Sequence, residues 1–326
     1  MRTAVSEEDL FNVKKFKITK TQKACTRRRN EIQFSPDQKQ ALELIIAGLK
    51  DYIKSNRKRS FNYFLTGPAG TGKTEVIRAI LKQIQGLEID SVVVPLSAVF
   101  TSTTGVSASI LYGSTIYKAA NINPFKSHKG NKSANEESSA ANDDLIISET
   151  FGHIDLIIID EISMCNHEVL VQLDRKLRHL MQNDEDFGCK CILLCGDFFQ
   201  CKAVKCQQLT KLCLDLLHNV ENGLKTTNNG AELFIKFKRI QLTTQNRIKD
   251  QTYSDMMDEI RSLKKDEHLN PEFLYKLDEL TMDDLKEDQE YLFAPHIIVT
   301  SRYEREKFNW ELGKLYARIF KEPMLF

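Results

Sequence analysis

Residues 67–74 read GPAGTGKT, a glycine-rich segment that ends in Lys-Thr. It matches the pattern G-x-x-x-x-G-K-[ST], in which glycines let the backbone curl tightly enough for its N–H groups to face a phosphate. Lys73 would reach the β- and γ-phosphates of a nucleoside triphosphate, and Thr74 would offer its hydroxyl to Mg²⁺. The predicted nucleotide-binding residues are the loop and the two side chains after it: Gly67, Pro68, Ala69, Gly70, Thr71, Gly72, Lys73 and Thr74.

The segments on either side of this loop support a nucleotide site. The apolar run Phe61–Leu65 predicts a strand before the loop, and helical spacing predicts a helix over Lys73–Gln85 after it. A helix that begins at the loop adds its positive N-terminal end to a phosphate site. Because strand–loop–helix is the context that this motif requires, a Gly-rich turn without a ligand becomes the minor interpretation.

A second predicted strand ends in two carboxylates. Residues 156–163 read LIIIDEIS, so Asp160 and Glu161 follow a run of four apolar residues. Ligands of open α/β sheets bind at the carboxyl ends of strands. Asp160 is predicted to hold Mg²⁺ through its water shell, and Glu161 to polarise the attacking water as general base. The alternative is a polar turn after a strand, which the phosphate loop upstream makes the weaker interpretation.

A third predicted strand also ends in polar residues. Residues 191–200 read CILLCGDFFQ, which places Asp197 and Gln200 just beyond the apolar run. At the tip of a strand, Gln200 could sense a γ-phosphate. Phe198 and Phe199 lie between the two, and aromatic residues at such positions are more often core than base-stacking surfaces.

The rest of the chain alternates helical and apolar segments. Helical spacing predicts a helix over 36–54, with Ser35 as its N-cap and Pro36 at its first position, and another near Val169–Leu180. A β-branched run, Val92–Val94, follows the helix after the loop. Alternating buried strands and helices indicate an α/β fold with a mostly parallel sheet covered by helices on both faces.

Composition argues against a strongly basic nucleic-acid-binding protein and against a membrane protein. Charged residues make up 28% of the chain but nearly cancel, for a net charge of +1, so any nucleic-acid contact must come from a local surface. No apolar run reaches the roughly 20 residues of a membrane span, and the first residues lack the apolar core of a signal peptide. We therefore expect a soluble intracellular protein with no membrane partner.

The eight cysteines admit two interpretations. Six of them lie between residues 189 and 213, and Cys thiolates are good zinc ligands. However, no C-x2-C pair occurs, and Cys191 and Cys195 belong to the apolar run CILLC. A free cysteine in such a run behaves as a small hydrophobic residue, which favours a core role over a zinc site.

Taken together, GPAGTGKT, LIIIDEISM and GDFFQ resemble the Pif-one (petite integration frequency) DNA helicases, relatives of RecD in superfamily one, group B. Further segments are similar to motifs of that family. FSPDQ looks like its adenine-reading segment, with Gln38 as the matching glutamine, and LTTQNR resembles its fourth motif, with Arg247 as the arginine that contacts the γ-phosphate from the hinge side. The resemblance thus implies a RecA-like P-loop fold and this catalytic set: Lys73, Glu161, Gln200 and Arg247.

Two small-residue segments resemble the family's single-strand-contact motifs. TSTTGVSA begins at residue 101 and GSTIY at residue 113. Hydroxyl and backbone N–H groups there could bond phosphates without reading base sequence, and Tyr117 is a candidate for stacking on a base. Ordinary helix capping is the other interpretation of these Ser and Thr residues. The DNA-binding residues that the resemblance implies are Thr103, Thr104, Gly105, Ser114, Thr115 and Tyr117.

The resemblance implies an ATP-driven, Mg²⁺-dependent motor that moves 5′→3′ on single-stranded or forked DNA. The settings of that family are repair, recombination and telomere maintenance, or the replication of mobile and viral DNA. We expect this protein to lie in the nucleus, with mitochondria or viral factories as the alternative locations. The chain could instead be another P-loop NTPase, such as a RecA-like or AAA-type remodeller. That interpretation is weaker, because such proteins do not require GDFFQ after the third strand or Gln38 before the phosphate loop.

The sequence also departs from the family. GDFFQ is followed by CKAV (201–204) where Leu-Pro-Pro-Val is usual, and Tyr117 stands where His is usual. HIIVTSRYEREKFNWELGKLY (296–316) resembles the opening of a second RecA-like lobe, but only 79 residues follow Arg247, with no match to motifs five and six. We therefore expect a basic tail (1–30), a RecA-like ATPase domain (31–246) with a disordered loop (126–143), and an incomplete second lobe (247–326). The missing lobe could come from another chain, and the alternative function is a nucleotide-gated DNA-binding fragment without motor activity.

Overall fold

The computed structural model describes residues 33–122, 147–203, 209–221, 229–264, 266–274 and 298–320. The predicted basic tail and the predicted disordered loop lie outside these ranges. The chain divides into two compact units, with the boundary between Gln251 and Thr252. Each unit is described by itself.

A six-stranded, wholly parallel sheet organises the first unit. Its strand order is β5-β4-β6-β7-β1-β8, so β7 separates the strand before the phosphate loop from the strand that ends in the two carboxylates. The strands of this sheet are β1 Asn62–Thr66, β4 Ala98–Ser102, β5 Ser114–Thr115, β6 Leu156–Asp160, β7 Cys191–Gly196 and β8 Lys238–Gln241. The predicted α/β class with a mostly parallel sheet is confirmed.

Helices connect these strands. The helices of the first unit include α1 Pro36–Lys54, α2 Lys73–Gln83, α3 Gly105–Ile110, α4 Ile116–Ala119, α5 His167–Met181, α6 Leu209–Glu221 and α7 Asn229–Ile235. Short 3-10 turns occupy Ile84–Gly86, Ile162–Met164 and Asp186–Cys189. The predicted start of α1 is confirmed, because Ser35 is its N-cap and Pro36 its first residue.

The central strands β6 and β7 are buried on both faces. Successive side chains alternate between two clusters, so Phe64 and Ile157 point to one side of the sheet, and Leu65 and Ile158 to the other. Helices α5, α6 and α7 cover the first side, and α1 and α2 cover the second. Helices on both faces are therefore confirmed. This arrangement leaves the carboxyl ends of the strands as the edge where polar side chains can meet.

The β-branched run and the cysteine-containing apolar run form two different kinds of strand. Val92–Val93 forms β3, which pairs only with β2 (Glu88–Ile89) in an antiparallel hairpin outside the main sheet, and both valines are exposed. Positive φ angles at Asp90 and Ser91 make the tight turn of that hairpin.

Cys191 and Cys195 are completely buried in β7, as the core interpretation predicts. Among the described residues, no group of three or more His, Cys, Asp or Glu side chains is arranged to hold a metal ion by itself.

The second unit is described in three helices: α8 Gln251–Ser262, whose first residue still belongs to the first unit, α9 Pro271–Leu274 and α10 Arg302–Phe320. Ser301 and Glu304 cap α10 reciprocally, since Glu304 N donates to Ser301 Oγ and Ser301 N donates to Glu304 Oε2. Within the segment HIIVT (296–300), His296 and Ile297 lie outside the described residues, and the other three residues precede α10. No helix in the described ranges is long and apolar enough to cross a membrane.

Candidate nucleotide-binding site

Parallel strands bring the predicted catalytic residues to one edge of the sheet. The phosphate loop follows β1, Asp160 ends β6 and Glu161 follows it, and Asp197 follows β7. The register places Thr66 beside Gly196 and Ser102 beside Asp160, so these strand ends are level with one another. The structure therefore joins three separate segments of sequence into one site.

The phosphate loop has the backbone that its glycines make possible. Gly70 and Gly72 have φ angles of 88° and 81°, in the left-handed region that L side chains rarely adopt. A Cβ atom at Gly70 would collide with the side chain of Gln245, and one at Gly72 would collide with that of Gln38. Gly72 is also the N-cap of α2, so the N-terminal N–H groups of that helix open onto the loop.

Lys73 holds a positive charge over this loop. Its Nζ donates hydrogen bonds to the carbonyl oxygens of Gly67 (2.7 Å) and Pro68 (3.1 Å). Burial lowers the pKa of Lys73, and the nearby carboxylates of Asp197, Asp160 and Glu161 oppose that shift. The site thus combines one half-buried ammonium group with three carboxylates, and its net charge favours a cationic ligand.

Asp160 and Glu161 lie next to each other at the end of β6 and differ in burial, since Asp160 is buried and Glu161 is half-buried. Asp160 is 7% exposed, and its two oxygens accept hydrogen bonds from Glu161 N (3.0 Å) and Ser107 Oγ (3.3 Å). Burial raises the pKa of Asp160. Burial also raises the pKa of Glu161, and the charge of Asp160 adds to that shift. A carboxylate with a raised pKa is a better proton acceptor, which suits Glu161 to general base catalysis.

Asp197 fixes the start of the segment that contains Gln200. It is 1% exposed, its Oδ1 accepts from Phe199 N (3.1 Å), and its Oδ2 accepts from Gln200 Nε2 (3.3 Å). Phe198 packs against Phe64 in the core, as predicted. The prediction is wrong for Phe199, which is 71% exposed because the turn after β7 directs it away from the sheet.

Gln38 contacts the loop directly. Its Nε2 donates to Thr71 O (2.8 Å), its Oε1 accepts from Ser35 N (3.0 Å), and the residue is only 4% exposed. Both ends of the amide are therefore bonded within the chain. Contact between Gln38 and adenine remains a prediction, while its support of the phosphate loop is a structural observation.

Arg247 lies beside the loop, in the segment that follows β8. Its side chain is exposed. The residues before it contact the loop: Asn246 N donates to Gly70 O (3.0 Å), and Gln245 Nε2 donates to Ala69 O (2.9 Å). Sequence reasoning identified Arg247 but missed Gln245 and Asn246, because no local pattern reveals a contact between residues about 175 positions apart.

The predicted DNA-binding residues lie at the carboxyl ends of β4 and β5, on the same edge. Thr103 is nearly buried, and its hydroxyl donates to Glu161 O (2.9 Å). Thr104 and Thr115 cap α3 and α4 by accepting from Ser107 N and Lys118 N, which is the capping interpretation. Ser114 forms part of β5, and space beside Gly105 is open. Tyr117 is half-buried and packs against the core, so its ring is not a fully exposed stacking surface.

Three comparisons place the chain among known proteins. A family model described as PIF1-like helicase matches residues 33–268. "ATP-dependent DNA helicase RRM3" of Saccharomyces cerevisiae is 32% identical over 143 residues, which are 44% of this chain and 18% of that protein. "ATP-dependent DNA helicase Pif1" of Psychrobacter is 31% identical over 152 residues, which are 46% of this chain and 20% of that protein.

Solved structures share the fold. The crystal structure of Pif1 helicase from Candida albicans has a TM-score of 0.59 at 22% identity, and covers 87% of this chain and 55% of its own. That of Pif1 helicase from Bacteroides with ADP-AlF3 and single-stranded DNA has a TM-score of 0.51 at 21% identity. It covers 86% of this chain and 57% of its own. The chain spans about a fifth of the length of each of the two helicases from Saccharomyces cerevisiae and Psychrobacter.

The family model covers well over half of the chain, and its range begins before Gln38 and extends past Arg247. It therefore includes every predicted catalytic and nucleotide-binding residue. The strand ends, phosphate loop and carboxylates described above lie within the same range. On this basis, the chain belongs to the PIF1-like helicase family.

Proposed function

We propose that this chain binds and hydrolyses ATP, as the first RecA-like lobe of a 5′→3′ DNA helicase. Lys73 begins the helix after the phosphate loop, at the sheet edge where the level ends of β6 and β7 also place Asp160, Glu161 and Asp197, and these carboxylates oppose the lowering of the Lys73 pKa by burial. Lys73 and the N–H groups at the start of α2 suit the phosphates. Glu161, with its raised pKa, is suited to accept the proton of the attacking water.

The side chains present also fit Mg²⁺. Asp160 and Thr74 would hold the ion, and three carboxylates against one ammonium leave a negative charge for it to offset. Two protein ligands suit Mg²⁺, because this ion usually keeps several waters and takes further oxygens from substrate phosphates. When bound, Mg²⁺ would neutralise charge that develops on the phosphates. Gln200, held by Asp197, and Arg247 are proposed to contact the γ-phosphate.

Single-stranded or forked DNA is the proposed partner, bound at the ends of β4 and β5. The hydrogen bond from Thr103 Oγ1 to Glu161 O supports this assignment, because it ties the proposed DNA-contacting segment to the catalytic base. Residues 247–326 are proposed to belong to a second RecA-like lobe. Repair, recombination and telomere maintenance in the nucleus are the proposed setting, in keeping with the relatives named as DNA helicases.

Gly105 offers a direct test of the DNA surface. We expect Gly105→Glu to weaken binding of a labelled oligothymidine about tenfold at low salt, because a carboxylate there would repel phosphates by about 1 kcal/mol or more. The fold should tolerate the change, since the space beside Gly105 is open and an acidic residue favours the first turn of α3. Fluorescence anisotropy measures the affinity, and thermal melting measures the stability.

Gly86→Glu is the matched control, because the space beside Gly86 is equally open and this residue follows the far end of α2. The control should bind DNA like the parent chain. Equal affinity of all three proteins for DNA would remove the ends of β4 and β5 from the proposed interface.

A further inference from the structure

The side chain of Gln245 links the phosphate loop to Arg247. Its Nε2 donates to Ala69 O (2.9 Å), and its Oε1 accepts from the backbone N–H of Arg247 (3.0 Å). The orientation of the amide follows from its partners, because a carbonyl oxygen can only accept and a backbone N–H can only donate. One planar group therefore connects the loop to the residue proposed to contact the γ-phosphate.

Gly70 allows this contact. Its φ of 88° requires a left-handed backbone, and a Cβ atom there would collide with Gln245 Oε1 and lie 2.9 Å from Arg247 Cβ. The loop and the 243–247 segment thus approach more closely than any other residue at position 70 would permit. Asn246 N strengthens the approach by donating to Gly70 O (3.0 Å).

Asp37 fixes the start of the same segment. Its Oδ2 accepts from the backbone N–H groups of Thr243 (2.7 Å) and Thr244 (2.9 Å). Partial burial by itself would raise the pKa of Asp37, but hydrogen bonds from Ser35, Thr244 and Thr243 outweigh it and leave the pKa well below its ordinary value. The carboxylate is therefore charged at neutral pH and holds the segment against the start of α1.

We propose that Gln245 is a positioning residue that couples the phosphate loop to Arg247. The inference rests on the proposed function, because it assigns Arg247 to the γ-phosphate of a nucleotide bound at this loop. A shift of Ala69 O moves the amide of Gln245, and the amide in turn moves the backbone of Arg247. Gln245 consequently helps the site to distinguish a triphosphate from a diphosphate without contacting either one.

Gln245→Met tests the coupling, since methionine has a similar length and shape, carries no charge and makes neither hydrogen bond. We expect the preference for a non-hydrolysable ATP analogue over ADP to fall about fivefold, at the low end of typical coupling between sites. The matched control is Gln85→Met, because exposed Gln85 also donates its amide to a backbone carbonyl, that of Leu81 (3.1 Å). Titration with fluorescent nucleotides gives both affinities.

A double-mutant comparison separates coupling from simple support of the fold. In an Arg247→Ala background, Gln245→Met should change the preference little further, since the group that it positions is gone. Equal losses of ADP and ATP-analogue affinity, or a full additional loss of preference in the Arg247→Ala background, would overturn the proposal.

Amide hydrogen exchange tests the bridge without any nucleotide. Exchange at the N–H of Arg247 should be faster in Gln245→Met than in Gln85→Met, because only the first variant removes its acceptor. Unchanged exchange would overturn the proposal. If the parent chain binds neither nucleotide, the proposed function fails, and exchange at Arg247 still decides whether the bridge exists.

Discussion

Replacing Lys73 with alanine should reduce ATP hydrolysis at least about 100-fold, in line with the removal of one preorganised charged or hydrogen-bonding group from an active site. Lys73 is the cation that the structure places between the phosphate loop and three carboxylates. Without it, those carboxylates would repel the phosphates of the nucleotide. Hydrolysis measured by phosphate release, together with nucleotide affinity, gives the size of the effect.

Lys82→Ala is the matched control for this experiment. Lys82 is exposed near the end of the same helix, α2, that Lys73 begins. It should hydrolyse ATP like the parent chain, and both variants should melt as folded proteins. A Lys73→Ala protein that keeps more than a tenth of the parent activity would show that ATP is hydrolysed elsewhere.

Replacing Glu161 with glutamine should abolish turnover while leaving nucleotide binding largely intact. The amide keeps the shape of the side chain but cannot accept a proton, and loss of a general base typically costs about 10²- to 10⁴-fold in rate. The parent rate should also depend on pH. Burial and the charge of Asp160 raise the pKa of Glu161, so the active, deprotonated form is lost at a higher pH than for an ordinary glutamate.

Glu88→Gln controls for loss of a carboxylate at an exposed position in β2. It should leave both the rate and its pH dependence unchanged. If Glu161→Gln hydrolyses ATP within tenfold of the parent, another carboxylate at this edge, Asp160 or Asp197, must take the proton.

The three central strands were predictable because each one carries two signals. Continuous apolar runs indicate strands buried on both faces, and the polar residues after β1, β6 and β7 indicate strand ends at a ligand site. Strands β4 and β8 carry weaker signals. Three of the five residues of AVFTS (98–102) are small or carry a hydroxyl, and in KRIQ (238–241) only Ile240 is buried because β8 lies at the edge of the sheet.

Site residues were predictable from the sequence where they belong to a short motif of fixed spacing. Lys73, Asp160 and Glu161 belong to motifs whose spacing follows from a loop or a strand end. The contacts of Asp37 with Thr243 and of Gln245 with Ala69 join residues 206 and 176 positions apart, and only the folded sheet brings them together. Likewise, the exposure of Phe199 depends on the turn after β7, while its neighbour Phe198 enters the core.

Steady-state ATP hydrolysis with Mg²⁺, in the presence and absence of oligothymidine, decides whether this chain is a DNA-stimulated ATPase. Glu161→Gln provides the blank. We predict that the parent chain hydrolyses ATP and that single-stranded DNA increases the rate, because Thr103 links the proposed DNA-contacting segment to Glu161. Binding of nucleotide and DNA with no turnover above the blank, with or without DNA, would contradict it and leave a nucleotide-gated DNA-binding chain.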